Sequence, residues 1–421
     1  MKAEQLIVNI GTLMTPKDLG KLVRGKAMQN VLTMHNAYIA IREGRIIEIG
    51  EGEGKNYQSS DTKIIDAGGK LVTPGFIDSH THVVHGGSRE HEFDLKLKGV
   101  PYLDILKQGG GIHSTVKATK QASVDALYKQ AFKSLNRMLA FGVTTIEGKS
   151  GYGLERDTEI KQLNVQKMLD RDHPIDIVST FLGAHALPKD YESNREGFIQ
   201  KMIDILPEVK QKGLAEYVDI FCEDGAFTRG ESLTMLTAAK KLGFKLKIHA
   251  DEVVPLGGVR MAAKLGAASA DHLMAIDEDG LDALASYDTV ATVLPSTSFN
   301  LRSDFAPVRT MIERNLAVAV STDYNPGSAP SENFLFVLNL AALYLRMTPE
   351  EILTAATINP AYAIGRADTI GSLEVGKHAD FVVFDAENFP YVLYHYGINH
   401  VQAVYKNGVC VMRNTHEEDA V

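Results

Sequence analysis

Gly75-Phe76-Ile77-Asp78-Ser79-His80-Thr81-His82 decides how this chain is read. A short apolar run ends in two imidazoles one residue apart. In an extended strand, residues i and i+2 point to the same side, so His80 and His82 face one space and could grip one metal ion. A His pair alone is a weak signal, because buried histidines also serve as ordinary core residues. Its weight depends on what lies downstream.

Downstream, about 74–369, apolar runs alternate with helical patterns. The runs are Val143–Gly153, Asp176–His185, Tyr217–Gly225, Lys245–Glu252, Ala268–Leu273, Thr289–Ser296 and Ala317–Gly327. Between them lie helical stretches such as Ser123–Gly142 and Glu231–Phe244, the latter closed by Gly243. Counting the first run, eight strands with helical crossovers predict a (β/α)8 barrel. An open doubly wound sheet is the competing architecture, but no G-x-G-x-x-G follows the first strand. The runs end repeatedly in chemically able side chains: His80 and His82, Glu147 and Lys149, His185, Glu223, His249 and Glu252, His272, and Asp323. In a barrel, strand C-termini converge on one face, so these groups would share a pocket.

Three imidazoles and a carboxylate (His80, His82, His249, Asp323) make a nitrogen and oxygen donor set suited to Zn2+ or Fe2+. The fourth strand end, Asp219 to Asp224, offers no lysine to bridge a second ion, so one metal with an open position for water is expected. Such an ion lowers the pKa of its water toward ~7.

Both ends of the chain read differently. Residues 1–73 hold β-branched runs (5–10, 37–50 and 63–74) with a hairpin signal near Glu43-Gly44 and an irregular excursion over 20–34. Residues 370–421 hold two or three strands, with Asn407-Gly408 a second hairpin signal. Lone hairpins are marginal, so the two ends are expected to join in one small β-sandwich beside the barrel.

Composition narrows the function classes. The 421 residues are 44% hydrophobic and 23% charged, with a formal charge of −9, which excludes disordered and fibrous classes. No basic stripe suggests a nucleic-acid groove. Cys222 and Cys410 are isolated and fit a reducing cytoplasm. The first residues, MKAEQLIVNIGTL, predict no signal peptide. The near-apolar run Phe334–Leu345 is shorter than the ~18 residues of a membrane span.

Taken together, residues 75–82, His249, Asp323 and the flanking β segments resemble the amidohydrolase superfamily. The stretches 86–116, 144–154, 180–188, 247–252, 270–273 and 321–333 are similar, more specifically, to the imidazolonepropionase family, ring-opening hydrolases of histidine degradation. The resemblance implies a distorted (β/α)8 barrel with a β-sandwich from both termini, one Zn2+ or Fe ion per subunit, and a homodimer. It implies 4-imidazolone-5-propanoate as substrate and N-formimidoyl-L-glutamate as product. Metal ligands carry over to His80, His82, His249 and Asp323, and substrate contacts to Arg89, Tyr102, Tyr152, His185 and Glu252. Asn325, Gly327 and Ser328 carry over as contacts for the substrate or product tail.

The chemistry agrees. A lactam needs activated water, a polarised carbonyl and a proton for the leaving nitrogen. Glu252 is placed to move that proton, His272 to hold the metal-bound water, and Asp323 both to ligate and to take a proton. Arg89 suits bidentate binding of a propionate tail. The turn 325–328 offers backbone N–H groups and a hydroxyl to an anion. The glycine run Gly109–Gly111 is either a flap over the ring or a plain connection. His85, His91, His113 and His173 read as surface or loop residues. A second reading, another amidohydrolase such as a nucleobase deaminase, shares the metal set but has no use for Arg89. A third, a barrel keeping its metal for structure or sensing, leaves Glu252 and His272 unexplained.

Overall fold

The β-branched runs of the N-terminal segment form β1 Gln5–Pro16, β2 Val31–Arg42, β3 Arg45–Glu51, β4 Lys63–Asp66 and β5 Leu71–Pro74. The computed structural model describes residues 1–100 and 110–414. Glu43 and Gly44 turn β2 into β3 with positive φ at both positions, as a two-residue hairpin of that hand requires. The stretch 20–34 is more regular than its composition suggests. A 3-10 turn covers Gly25–Gln29, and β2 starts at Val31 because β1 is long enough to pair out to Pro16 opposite Val31.

Eight parallel strands follow: β6 Phe76–Thr81, β7 Val143–Lys149, β8 Asp176–Ala184, β9 Tyr217–Cys222, β10 Lys245–Ala250, β11 Ser269–His272, β12 Val290–Val293 and β13 Val318–Val320. Each pairs with the next in chain order. The seam between first and last closes just past their ends: the Asp323 N–H donates to the His80 carbonyl at 3.1 Å and the His82 N–H to the Tyr324 carbonyl at 2.8 Å. This is the expected barrel, closed at the C-terminal ends of its strands.

Helices cover the outside of the barrel. Val124–Ala140 buries Leu127, Ala131, Leu135 and Met138 along one face, and the Ser123 hydroxyl caps it by accepting the Ala126 N–H. Each of the larger ones, Leu127, Leu135 and Met138, contributes roughly 1.5–3 kcal/mol on burial. Arg229–Lys241 starts with a capping box between Thr228 and Glu231.

The chain then returns through β14 Phe381–Phe384, β15 Val401–Lys406 and β16 Val409–Arg413. These join the N-terminal strands in one sheet, ordered β16-β15-β14-β5-β1-β2-β3, with β4 also on β1. β14 pairs antiparallel with β5, so the two ends of the chain complete each other. Ile10, Leu13, Ile39, Val72, Phe381 and Tyr405 give this sheet a core of its own. Among the described residues, no helix is long and apolar enough to cross a membrane.

Candidate metal centre and active site

Strand alternation and barrel closure bring the predicted ligands together. His80 is fully buried, and its ring centroid lies 4.5 Å from that of His249 and 5.4 Å from that of His82. Asp323 crosses the seam so that its Oδ1 is 3.5 Å from Nε2 of both His80 and His82. Asp323 has a φ of +55°, a left-handed conformation that Asp adopts more readily than most side-chain-bearing residues, and the Thr297 hydroxyl donates to its Oδ2 at 2.5 Å. Ligand atoms of His80, His82 and Asp323 lie within 4.8 Å of one another, as do those of two overlapping triplets, His80-His249-His272 and His82-His185-His249.

These residues fit a divalent ion. Nε2 of His80 and of His249 are buried with no hydrogen-bond partner, a costly state unless something else meets them. Burial holds the imidazoles of His80, His82 and His249 well below their usual pKa, in the neutral form a metal needs. The other face of His80 is tied down, with Nδ1 2.7 Å from Asp271 Oδ2. Nδ1 of His249 lies 2.9 Å from Asp219 Oδ2, in contact but not aligned as a hydrogen bond.

Beneath the imidazoles lies a layer of buried charge. Lys149 Nζ donates to Asp219 Oδ2 at 2.8 Å and Glu147 Oε1 at 2.9 Å, and lies 3.4 Å from Asp271 Oδ2. Lys247 Nζ donates to Glu147 Oε2 at 2.7 Å and to the Ser79 carbonyl at 3.1 Å. Burial opposes the Lys149 charge, but Asp219, Glu147 and Asp271 outweigh it and raise its pKa above the ordinary value. Neither lysine is free to bridge metals.

Glu252 follows β10, and its Oε2 is 3.7 Å from His272 Nδ1. Burial, then the charge of Glu223, pushes the Glu252 carboxyl up to about 7. Burial lowers His272, against the pull of Asp323, and pushes Asp323 itself up to about 6.

A second wall faces this cluster. His185 stacks on His82 with centroids 4.8 Å apart, donates from Nδ1 to the Gly151 carbonyl at 3.1 Å, and is brought down by burial to about 4. Tyr152 is buried 5.6 Å from His82 and 5.4 Å from His185, centroid to centroid. The Arg89 guanidinium lies against the Gly327 backbone: a Cβ on Gly327 would fall 1.4 Å from Nη2. Tyr102, Gly109 and the rest of 101–109 lie outside the described residues.

Two expectations need correction. The turn 325–328 does not hold its N–H groups out to an anion. Asn325 Oδ1 accepts the N–H of both Gly327 and Ser328 at 2.8 Å, and Asn325 Nδ2 donates to the Ser328 hydroxyl at 2.8 Å. An Asn two residues before a turn N–H competes for it better than a distant ligand can. Nor are all the extra histidines peripheral: His85 and His173 are buried, His85 between the rings of Tyr152 and Tyr324.

The comparisons with known proteins agree with this geometry. A model of the amidohydrolase family matches residues 71–413. An imidazolonepropionase of Fusobacterium nucleatum is 54% identical over 415 residues, covering 98% of this chain and all of the relative. One from Bacillus cereus strain AH187 is 53% identical over 96% of each. The chain belongs to the amidohydrolase family, among its imidazolonepropionases. Solved structures show the same fold at lower identity. A zinc-bound adenosine deaminase from Xanthomonas campestris superposes with a TM-score of 0.74 at 16% identity, over 97% of this chain and 93% of that one. Guanine deaminase from E. coli gives 0.74 at 15%, over 98% and 99%.

For an amidohydrolase, the charged layer is the part the sequence reading left unassigned. A signal was present: Asp78 stands two residues before His80, and Lys247 two before His249. Residues two apart in a strand share a side, so both must face the barrel interior one layer below the ligands. Asp78 accepts the Thr322 N–H at 3.0 Å and its hydroxyl at 2.6 Å, which anchors the strand end carrying Asp323.

Proposed function

We propose that this chain opens the ring of 4-imidazolone-5-propanoate, giving N-formimidoyl-L-glutamate in histidine degradation. The observation that carries this reading is near-full-length kinship, at 54% and 53% identity, with proteins named imidazolonepropionase. Water adds to the ring carbonyl carbon, the carbon–nitrogen bond of the lactam breaks, and the departing nitrogen takes the proton that water gives up.

His80, His82, His249 and Asp323 would hold one Zn2+ or Fe ion per subunit and leave a position for water. When bound, the ion supplies Lewis acidity that activates water and polarises the carbonyl. Glu252 accepts the proton from water and delivers it to the ring nitrogen. His272 holds the attacking water, and Asp323 shares in the proton's removal. Arg89 anchors the propionate as a bidentate cation. Tyr102, Tyr152 and His185 hold the ring. Asn325 shapes the turn, while Gly327 and Ser328 border the tail. The barrel, 74–369, is the catalytic unit, and the sheet built from 1–73 and 370–421 supports it. We further propose a cytoplasmic homodimer that engages neither nucleic acid nor membrane.

The test is loss of 4-imidazolone-5-propanoate before and after complete chelation, with Zn2+ or Fe2+ then restored. Turnover should vanish and return. Unchanged turnover after full metal removal overturns the reading.

A further inference from the structure

Glu223 follows β9 directly, with 4% of its surface exposed, and among the described residues no cation pairs with it. A buried carboxylate in that position must be offset by hydrogen bonds. Four backbone N–H groups supply them: Glu252 and Val253 to Oε2, both at 2.9 Å, and Val254 and Asp224 to Oε1, at 3.0 and 2.9 Å. Three of the four are consecutive and belong to the loop after β10. They converge because Asp251 has a φ of +54°, and a left-handed residue followed by a turn gathers successive N–H groups into an anion-binding concavity. On its other side the loop is held by the Ala275 N–H, which donates to the Asp251 carbonyl at 2.7 Å.

Apolar packing takes hold of this loop only further on, at Leu256. Val253 and Val254 are 71% and 37% exposed, so packing against the core does not fix the segment that follows Glu252. Glu223 therefore clasps the backbone from which the Glu252 side chain departs toward His272. We propose that Glu223 is the positioning residue that aims the Glu252 carboxyl at the reacting ring. The assignment rests on the function proposed above, in which Glu252 moves the proton.

A cycle of variants tests it, with turnover of 4-imidazolone-5-propanoate by the metal-loaded enzyme and melting temperature as readouts. General acid–base catalysis contributes typically 10²–10⁴-fold, so Glu223→Ala should lower kcat by about 10²-fold. KM should stay within about threefold, because tail binding at Arg89 does not depend on the clasp. Glu223→Gln keeps one acceptor oxygen and should recover part of the loss. In a Glu252→Gln background, Glu223→Ala should cost nothing further, since a residue acting through another shows no separate effect. A folded Glu223→Ala enzyme with parental kcat overturns the assignment. So does an equal loss in the Glu252→Gln background, which marks a general structural role. If Glu223→Ala does not fold, Glu223→Gln takes its place in the cycle, and parental kcat or an equal loss overturns the assignment as before. Parental turnover by Glu252→Gln alone is a different failure: it removes the proposed chemistry itself, and this assignment with it.

Discussion

His80 and Asp271 meet at 2.7 Å through Nδ1 and Oδ2, across two strands that are not neighbours in the barrel. The contact puts the ring proton on Nδ1 and leaves Nε2 as the ligand atom. Partners of this kind fix a ligand's tautomer and typically change metal affinity 10–100-fold when removed. Asp271→Asn presents an amide that can reverse the tautomer, and it should weaken metal binding by about 10- to 100-fold in a chelator competition. Affinity equal to the parent's would mean that the ring is oriented by other contacts.

Arg89 is the only part of the proposed machinery that reads the tail's charge. Hydrogen bonds to charged groups are worth about 1.5–3 kcal/mol, so Arg89→Ala should raise KM for the imidazolone acid by roughly 10- to 100-fold. Gly327→Ala should move KM the same way, because its Cβ would occupy the space of the guanidinium. Arginine is flexible at that end, so the fold should survive. Full activity in Arg89→Ala would favour a neutral-ring substrate, as in the deaminase reading.

The pH dependence follows from Glu252, which faces Glu223, His272 and Asp323. Its carboxyl is pushed up from 4.5 to about 7, first by burial and then by Glu223. As the group that first accepts a proton, it must be ionised, so kcat/KM should fall as pH drops below about 7. The stability sign is opposite. A folded pKa above the unfolded one favours the folded state below 4.5, and that advantage is lost as pH rises through about 7. Glu252→Gln should therefore melt higher than the parent at pH 8, with little difference at pH 4. A Gln variant that melts lower at pH 8 would contradict this.

Lys149 faces three carboxylates with its side chain fully buried. Removing one member of a buried ion cluster costs about 3–5 kcal/mol, because the remaining charges stay behind uncompensated. Lys149→Met should show a loss of that size in denaturant unfolding. A change under about 1 kcal/mol would mean that the carboxylates take up protons or water instead.

Much of this was legible from residues alone. Each of the eight barrel strands coincides with an apolar run, because a strand buried on both faces must be apolar over most of its length. The ligands were legible because they terminate those runs. The charged layer was not, since Lys149 pairs with Asp219 and Asp271 from strands far away in sequence, and no local pattern encodes such a contact. The turn 325–328 misled for the opposite reason. Its residues are those of an anion site, but Asn325 satisfies the turn internally. His85 looked peripheral in a polar loop, yet Tyr152 and Tyr324 enclose it.

The closure of the barrel also fixes an order of assembly. His80 and His82 belong to the first barrel strand and its end, while Asp323 follows the last, and the backbone bonds between them form the seam. A chain still lacking its eighth strand therefore lacks Asp323 and the seam bonds that set its carboxylate beside His80 and His82. The early β1–β5 segment must likewise wait on the ribosome for β14 to cover its edge. Completion of the ligand set and of the terminal sheet thus both depend on late parts of the chain, and a fragment ending early would expose both an unfinished cavity and a bare strand.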